Sequence, residues 1–175
     1  MSSIRVHAVE SANLVSKEGC EKLLRIFSLG KESRQIFVLA PLRDTAFELS
    51  SLLISAKEHD ERLWSLQEQR FSSWTELVEN ILTVPAGRSV LERITQGFAD
   101  IEDILRSVWL VEEVSSGVQR YLEKLCDSWI ADLLCHYAVT KGFTADLAEY
   151  ATLNAGTSIS AQLLFVYGQL PQAEG

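Results

Sequence analysis

Two short apolar segments with one amphipathic segment between them occupy the N-terminal part of the chain, and this arrangement restricts the possible folds more than any other feature. Residues 4 to 9, IRVHAV, alternate and are rich in β-branched side chains, which predicts a strand. A helix is predicted from an N-cap at Ser16 to Gly30, with an apolar stripe on one side. Residues 34 to 41, RQIFVLAP, are apolar almost throughout, which predicts a second strand buried on both faces. A strand, a helix and a strand in this order predict a βαβ unit with a parallel pair, and therefore an α/β fold.

The chain after Pro41 is predicted to be mostly helical. The first helix there has a possible cap at Asp44 or Thr45, with Glu48 placed to help close the turn. Pro85 ends the second helix, and Lys141-Gly142 end the last one. Apolar residues recur at helical spacing in four segments, which are DTAFELSSLLISAKE, DERLWSLQEQRFSSWTELVENILTV, GRSVLERITQGFADIEDILRSVWLVEEV and SSGVQRYLEKLCDSWIADLLCHYAVTKG. No linker or repeat divides the chain, so we expect a single domain over residues 1–175 with a frayed, disordered tail over 169–175.

The charge and the cysteines exclude several classes of function. A net charge of −8 argues against nucleic-acid partners and against anionic membrane surfaces, which select basic patches. No apolar run reaches the roughly 20 residues of a membrane span, so we expect a cytoplasmic protein with no membrane partner. Cys20, Cys126 and Cys135 form no CxxC pair, which favours reduced thiols. Cys135 and His136 are neighbours on a helix and point about 100° apart, so they are not expected to share a metal ion, and no metal site is predicted.

The turn after the first strand is placed where a phosphate-binding loop would lie. The N–H groups of such a turn and of the following helix converge on negative charge, and glycines normally let the backbone approach the phosphate. The turn here is Glu10-Ser11-Ala12-Asn13, which contains no glycine. The residues therefore argue against a phosphate-binding loop.

The order of these segments resembles the N-terminal, substrate-binding part of the aspartate kinases, in the amino acid kinase family. Those enzymes begin with a strand that leads into a Lys-Phe-Gly-Gly-Thr-Ser motif, followed by a helix and by a strand that ends in a Ser-Ala-Pro-like turn with a following Thr. IRVHAVESANLVSKEGCEKLLRI and FVLAPLRDTAFELSSLL follow the same layout. The family's Gly-Glu-Arg tripeptide, which opens a helix, aligns best with Cys126-Asp127-Ser128. The resemblance covers about residues 4 to 150 and implies a three-layer αβα fold, carbamate kinase-like, with a parallel sheet and a large helical portion.

Nearly every functional residue of the family differs in this chain. Ala8 stands at the position of the phosphate-contacting Lys, while Glu10 and Ser11 replace the two glycines and Ala12 and Asn13 replace the Thr and Ser. The carboxylate of Glu10 places like charge where a phosphate would approach, which weakens binding. The late segment ATLNAGTSISAQLLF is faintly similar to the family's Gly-rich loop, with departures at Asn154, Ala155, Thr157 and Ile159. The resemblance therefore implies a shortened domain without a recognisable ATP-binding lobe.

On the substrate side, some polar residues remain at the family's positions. Asp127 keeps an acid one methylene shorter than the family's Glu, whereas Ser128 cannot replace the planar fork of the Arg. Thr45 stands at the position of the family's Thr, and Arg43 is a candidate for supplying the missing fork. The predicted substrate site is the crevice at the carboxyl ends of the strands, and its candidate residues are Glu10, Ser11, Asn13, Arg43, Thr45 and Asp127.

Three functions follow from the resemblance as expectations. The preferred one is a degenerate, non-catalytic domain that serves as a scaffold, a regulatory module or an oligomerisation module in aspartate-family amino acid metabolism, with a protein partner or a second copy. No catalytic residue and no cofactor are predicted for it. One alternative is an active aspartate kinase, for which MgATP would be the phosphate donor. The other is a small amino-acid-binding protein, and a mainly helical adaptor with two incidental strands is also left open.

Overall fold

The N-terminal βαβ unit is present as the sequence predicts. The computed structural model describes residues 3–30, 32–154 and 159–168, so the tail predicted over 169–175 lies outside the described residues. Strands β1 and β2 pair in parallel, with Val6 opposite Ile36. The elements in chain order are β1 (Ile4–Val9), α1 (Lys17–Leu29), β2 (Arg34–Leu39), α2 (Arg43–Lys57), α3 (Arg62–Ile81), α4 (Ala86–Val111), α5 (Ser116–Thr140), β3 (Ala145–Glu149) and β4 (Leu163–Tyr167).

Two further strands complete a four-stranded sheet of order β1-β2-β4-β3, in which every neighbouring pair is parallel. The sequence reading did not predict β3 or β4. Residues 145–149, ADLAE, are short and only weakly apolar, and β4 lies in the segment read as faintly similar to a Gly-rich loop. Of that segment, residues 155–158 lie outside the described residues. The α/β class with a parallel sheet and a large helical portion is confirmed, and a mainly helical adaptor with two incidental strands is not supported.

The two faces of the sheet are covered unequally. On one face, Phe37 and Phe165 stack with ring centroids 5.5 Å apart, and Phe27 of α1 packs edge-on against both. On the other face, Ile4 and Val6 of the edge strand β1 are 56% and 65% exposed. Along β2, Gln35, Phe37 and Leu39 are buried, whereas Ile36 and Val38 on the second face are half-buried. The prediction that β2 is buried on both faces was therefore wrong in part, because its second face is only partly covered.

Local side chains cap the N-termini of two helices, α1 at Ser16 and α5 at Ser115. Ser16 Oγ accepts a hydrogen bond from the Gly19 N–H at 3.0 Å, which confirms the predicted N-cap of α1. After α5, Gly142 adopts a φ of +89°, which L-residues rarely adopt. The start of α2 differs from the prediction, because the helix begins at Arg43 and Leu42 takes the N-cap position without a side-chain bond. Asp44 therefore lies inside the first turn of α2.

The four long helices pack together around large apolar side chains. Trp129 of α5 stacks on Phe98 of α4 with centroids 5.3 Å apart and meets the edge of Trp74 of α3 at 5.1 Å. A Cβ on Gly97 would clash with the Trp129 indole, so this glycine allows α4 and α5 to approach. Trp74 and Trp129 are therefore packing residues of the helical layer. None of the helices in the described part of the chain combines the length and the apolar character needed to cross a membrane.

Candidate functional site

A cavity of about 700 Å³ lies where β1 and β2 end. Parallel strands bring their carboxyl ends to one edge of the sheet, and loops that follow them form the usual ligand crevice of α/β folds. The strand ends contribute Glu10 after β1 and Ala40-Pro41 after β2 to its wall. The first turn of α2 contributes Arg43, Asp44 and Thr45. We call this space the strand-end cavity.

Three of the six predicted site residues line the strand-end cavity, namely Glu10, Arg43 and Thr45. Ser11 is only 2% exposed, and Asn13 is exposed outside the cavity wall. Asp127 lines a neighbouring cavity of about 430 Å³, where Arg43 is also found. The structure therefore gathers Glu10, Arg43 and Thr45, connects Asp127 to them through Arg43, and leaves Ser11 and Asn13 outside both walls.

The turn after β1 is folded on itself. Ser11–Asn13 form a short 3-10 turn, in which the Asn13 N–H donates to the Glu10 carbonyl at 3.1 Å and the Leu14 N–H donates to the Ser11 carbonyl at 2.9 Å. A Cβ on Gly19 would clash with the Asn13 carbonyl, so α1 begins directly against this turn. These two N–H groups are already bonded within the chain, and Glu10 is the charged side chain that the turn presents to the cavity.

Asp127 holds the loop that separates the two cavities. Pro41, Leu42 and Arg43 line both cavities, and Asp127 Oδ1 accepts a hydrogen bond from the Leu42 N–H at 2.9 Å. The side chain is buried, and this burial raises the pKa of the Asp127 carboxyl to about 6, although the bond from Leu42 opposes the shift. Cys126-Asp127-Ser128 lie inside α5 (Ser116–Thr140), so the tripeptide does not open a helix as its counterpart does in the aspartate kinase motif. Within this arrangement, Asp127 supports the loop between β2 and α2.

Helix α3 supplies a wall of the cavity that the sequence reading missed. Arg70, Ser73, Trp74 and Leu77 line it. Arg70 Nη2 lies 2.9 Å from Glu48 Oε1, which ties α3 to α2 across the wall. Residues three and four apart share one side of a helix, so these four positions form one face. The helical spacing of the apolar residues predicts this helix, but no sequence signal shows which helix covers the strand ends.

The cysteines form no site with other ligand residues. Cys20, Cys126 and Cys135 are free and buried, and burial raises the pKa of each thiol, for Cys20 to about 12. Cys135 is buried beside a half-buried His136. Over residues 3–30, 32–154 and 159–168, no three His, Cys, Asp or Glu side chains come together in a way that could hold a metal ion. Burial therefore disfavours the thiolate form of all three cysteines, which pack in the core.

Comparisons with known proteins indicate the fold. Neither a protein-family model nor a curated protein sequence matches this chain. The structure is similar to that of E. coli aspartokinase III in complex with aspartate and ADP, with a TM-score of 0.67, 12% identity, and coverage of 84% of this chain and 31% of that chain. It is also similar to E. coli aspartokinase III in complex with lysine and aspartate, with a TM-score of 0.64, 12% identity, and coverage of 83% and 31%. The chain thus has an aspartokinase-like fold and spans about a third of the length of the aspartokinase III chain.

Proposed function

We propose that this chain is a non-catalytic aspartokinase-like domain, which serves as a scaffold, regulatory or oligomerisation module in aspartate-family amino acid metabolism and keeps a pocket for a small amino acid. The observation that carries the proposal is the turn after β1. This turn contributes a carboxylate, Glu10, to the strand-end cavity, and its Asn13 and Leu14 N–H groups are bonded within the chain.

Phosphoryl transfer depends on positive charge and on N–H donors directed at the phosphate. Ala8 replaces the cation that the aspartate kinase motif places at this turn, and Glu10 adds negative charge. Like charge at a phosphate site costs binding free energy directly. The alternative, an active aspartate kinase with MgATP, would therefore have to obtain both its cation and its nucleotide site elsewhere.

The strand-end cavity suits a zwitterion better than a nucleotide phosphate. Arg43 is an exposed cation on its wall, and Glu10 and Asp44 are acids on the same wall. A free amino acid carries a carboxylate and an ammonium group, which match an Arg fork and a carboxylate respectively. L-Aspartate is the first ligand to test, because the similar E. coli aspartokinase III structures contain aspartate.

A protein partner or a second copy belongs to the same proposal, as does the three-layer αβα arrangement. The sheet face that carries Ile4, Val6, Ile36 and Val38 is only partly covered. A second helical layer on this face would complete three layers, and its helices would come from a partner chain or from further polypeptide. A cytoplasmic location is also part of the proposal.

Calorimetric titration with L-aspartate and, separately, with MgATP tests the proposal. We expect saturable heat with L-aspartate and none with MgATP. Binding of MgATP followed by release of ADP in the presence of aspartate would overturn the non-catalytic assignment. If neither ligand binds, the proposed amino-acid pocket is wrong. Sedimentation of the purified chain then tests whether the chain forms oligomers.

A further inference from the structure

A second polar cluster lies where α4 faces α5, and none of its residues lines either cavity. It consists of Ser89 and Arg93 on α4 and of Asp132 and His136 on α5, and we call it the Ser89 cluster. Ser89 Oγ lies 2.8 Å from His136 Nε2. His136 Nδ1 lies 2.8 Å from the main-chain carbonyl oxygen of Asp132 and 3.4 Å from its Oδ1.

These distances determine the roles of the two imidazole nitrogens. A carbonyl oxygen only accepts, so Nδ1 must carry the proton that is donated to Asp132. In the neutral ring, Nε2 is then the bare nitrogen, and it accepts the proton of the Ser89 hydroxyl. A hydroxyl that donates to a histidine whose other nitrogen is held by a third group has the arrangement of an activated nucleophile.

The buried carboxylate completes the arrangement. The Asp132 side chain is 3% exposed, and its Oδ2 has no hydrogen-bond partner among the residues that the structure describes. A buried acceptor without a partner is costly, and a positive imidazole beside the carboxylate would lower that cost. Arg93 Nη1 lies 3.5 Å from Asp132 Oδ1, and Arg93 follows Ser89 by one turn on the same side of α4. The Arg93 guanidinium therefore lies beside the Asp132 carboxylate, on the side of α4 that also carries Ser89.

We propose that Ser89 is a nucleophile that accepts an acyl group from an activated ester, such as an aryl ester or a thioester of a small carboxylic acid. His136 is the general base, Asp132 is a positioning residue, and Arg93 faces the negative charge that develops on the carbonyl oxygen. Ser89 is exposed, so the ester reaches it from solvent. This site is independent of the function proposed above.

The reaction balances without any further reagent. Ser89 Oγ attacks the carbonyl carbon while its proton moves to His136 Nε2, which forms a C–O bond and a tetrahedral oxyanion. The oxyanion collapses, the bond to the aryl oxygen or thiol sulfur breaks, and His136 returns the proton to the leaving group. Water then adds to the acyl-serine with His136 again as the base, which releases the carboxylic acid and restores the hydroxyl.

A fluorophosphonate probe tests the nucleophile, because the phosphonyl–serine bond that replaces P–F is stable to water. We expect one phosphonyl group per chain, located on Ser89 by peptide mass spectrometry. Ser89→Ala should lose this adduct, while Ser107→Ala, which removes another exposed hydroxyl on α4, should label at the wild-type rate. An unlabelled wild-type chain, or an adduct that survives in Ser89→Ala, would overturn the proposal.

Two further variants separate catalysis from structure. His136→Gln can still form hydrogen bonds but cannot take the proton, so labelling should slow by at least about 100-fold. Asp132→Asn leaves the main-chain acceptor for Nδ1 in place, so it should slow labelling less than His136→Gln. Both variants must keep the wild-type circular dichroism. Equal labelling rates in wild type and His136→Gln would show that Ser89 is not activated.

Discussion

The helical layer and the carboxyl edge of the sheet place their side chains under different constraints. In the helical layer, Trp129 contacts Phe98 and Trp74, and Gly97 leaves the space that the indole fills. At the strand ends, Glu10, Arg43 and Asp44 surround a cavity of about 700 Å³. A change in the first region alters close packing, whereas a change at Glu10, Arg43 or Asp44 alters mainly what the cavity can hold.

This difference bears on why the chain can have an aspartokinase-like fold at only 12% identity to E. coli aspartokinase III. The fold depends on apolar positions that recur along helices and strands, and these positions are many and mutually supporting. A ligand site depends on a few side chains at loop ends. Fold and site can therefore change separately. The following variants test how completely the two regions are separated.

The largest effect is expected in the helical layer. Trp129→Ala should lower the free energy of unfolding by about 3–5 kcal/mol, because it removes a buried indole and leaves a cavity against Phe98 and Trp74. Chemical denaturation monitored by circular dichroism measures the change. Leu110→Ala is the control, since Leu110 lies on α4 and is 82% exposed, and it should change stability by less than about 0.5 kcal/mol. Similar losses in both variants would contradict the packing role of Trp129.

The next effect lies at the boundary between the two regions and depends on pH. The folded chain binds a proton on Asp127 more tightly than the unfolded chain, because its pKa is raised from 3.8 to about 6. Stability is therefore lost as pH rises through this interval, and ionised Asp127 costs at most about 3 kcal/mol above pH 6. Asp127→Asn stays neutral and keeps an oxygen for the Leu42 N–H. It should be more stable than the wild type at pH 8 and equal to it at pH 4.

Thermal unfolding of the wild type and of Asp127→Asn at both pH values gives this comparison directly. Asp127→Ala is the matched control, because it removes the charge and also the acceptor for Leu42. Relative to the wild type, its gain in stability at pH 8 should be smaller than that of Asp127→Asn, and at pH 4 it should be less stable than the wild type. A stability difference between wild type and Asp127→Asn that does not change with pH would contradict the raised pKa.

A smaller effect is expected for ligand binding at the strand ends. If the pocket binds L-aspartate, Arg43→Gln should weaken binding by about 10-fold, since it removes the charged partner of a carboxylate. It should not change the unfolding temperature, because Arg43 is exposed. Arg88→Gln, at an exposed position of α4, should leave the calorimetric affinity unchanged. An unaltered affinity of Arg43→Gln for L-aspartate would show that Arg43 does not contact the carboxylate of the ligand.

The smallest effect concerns the end of one helix. Ser16→Ala should lower the free energy of unfolding by about 1 kcal/mol, because the Gly19 N–H loses its acceptor. Ser28→Ala on α1 is the control, since its hydroxyl bonds a helix carbonyl at an exposed position and should matter less. The denaturant midpoints of the wild type and the two variants show which substitution lowers stability more. A loss of stability in Ser28→Ala as large as that in Ser16→Ala would contradict the capping role of Ser16.

The sequence predicted the regular elements of the first 140 residues well, because their apolar periods are long and their ends carry recognisable caps such as Ser16. It did not predict β3, since five residues with one exposed acid give no clear period. For the candidate site, the sequence predicted six residues near the strand ends, and the structure places Glu10, Arg43 and Thr45 of these on the wall of the strand-end cavity. Arg70 and Ser73 were missed because only the packing of α3 on α2 brings them to the cavity. Likewise, Ser89 and His136 are 47 residues apart and meet only when α4 and α5 pack.

The sheet order also has a consequence for how the protein is made. β4 lies between β2 and β3, although the chain reaches it last among the described strands. During translation, β4 cannot pair with β2 and β3 until residues 163–167 have left the ribosome. The backbone N–H and C=O groups on one edge of β2 therefore stay unpaired while the four helices α2 to α5 are synthesised. Long-range pairing of this kind is slow and exposes unpaired strands to aggregation. Nascent chains stopped before Leu163 should therefore depend on chaperones more than the full chain does.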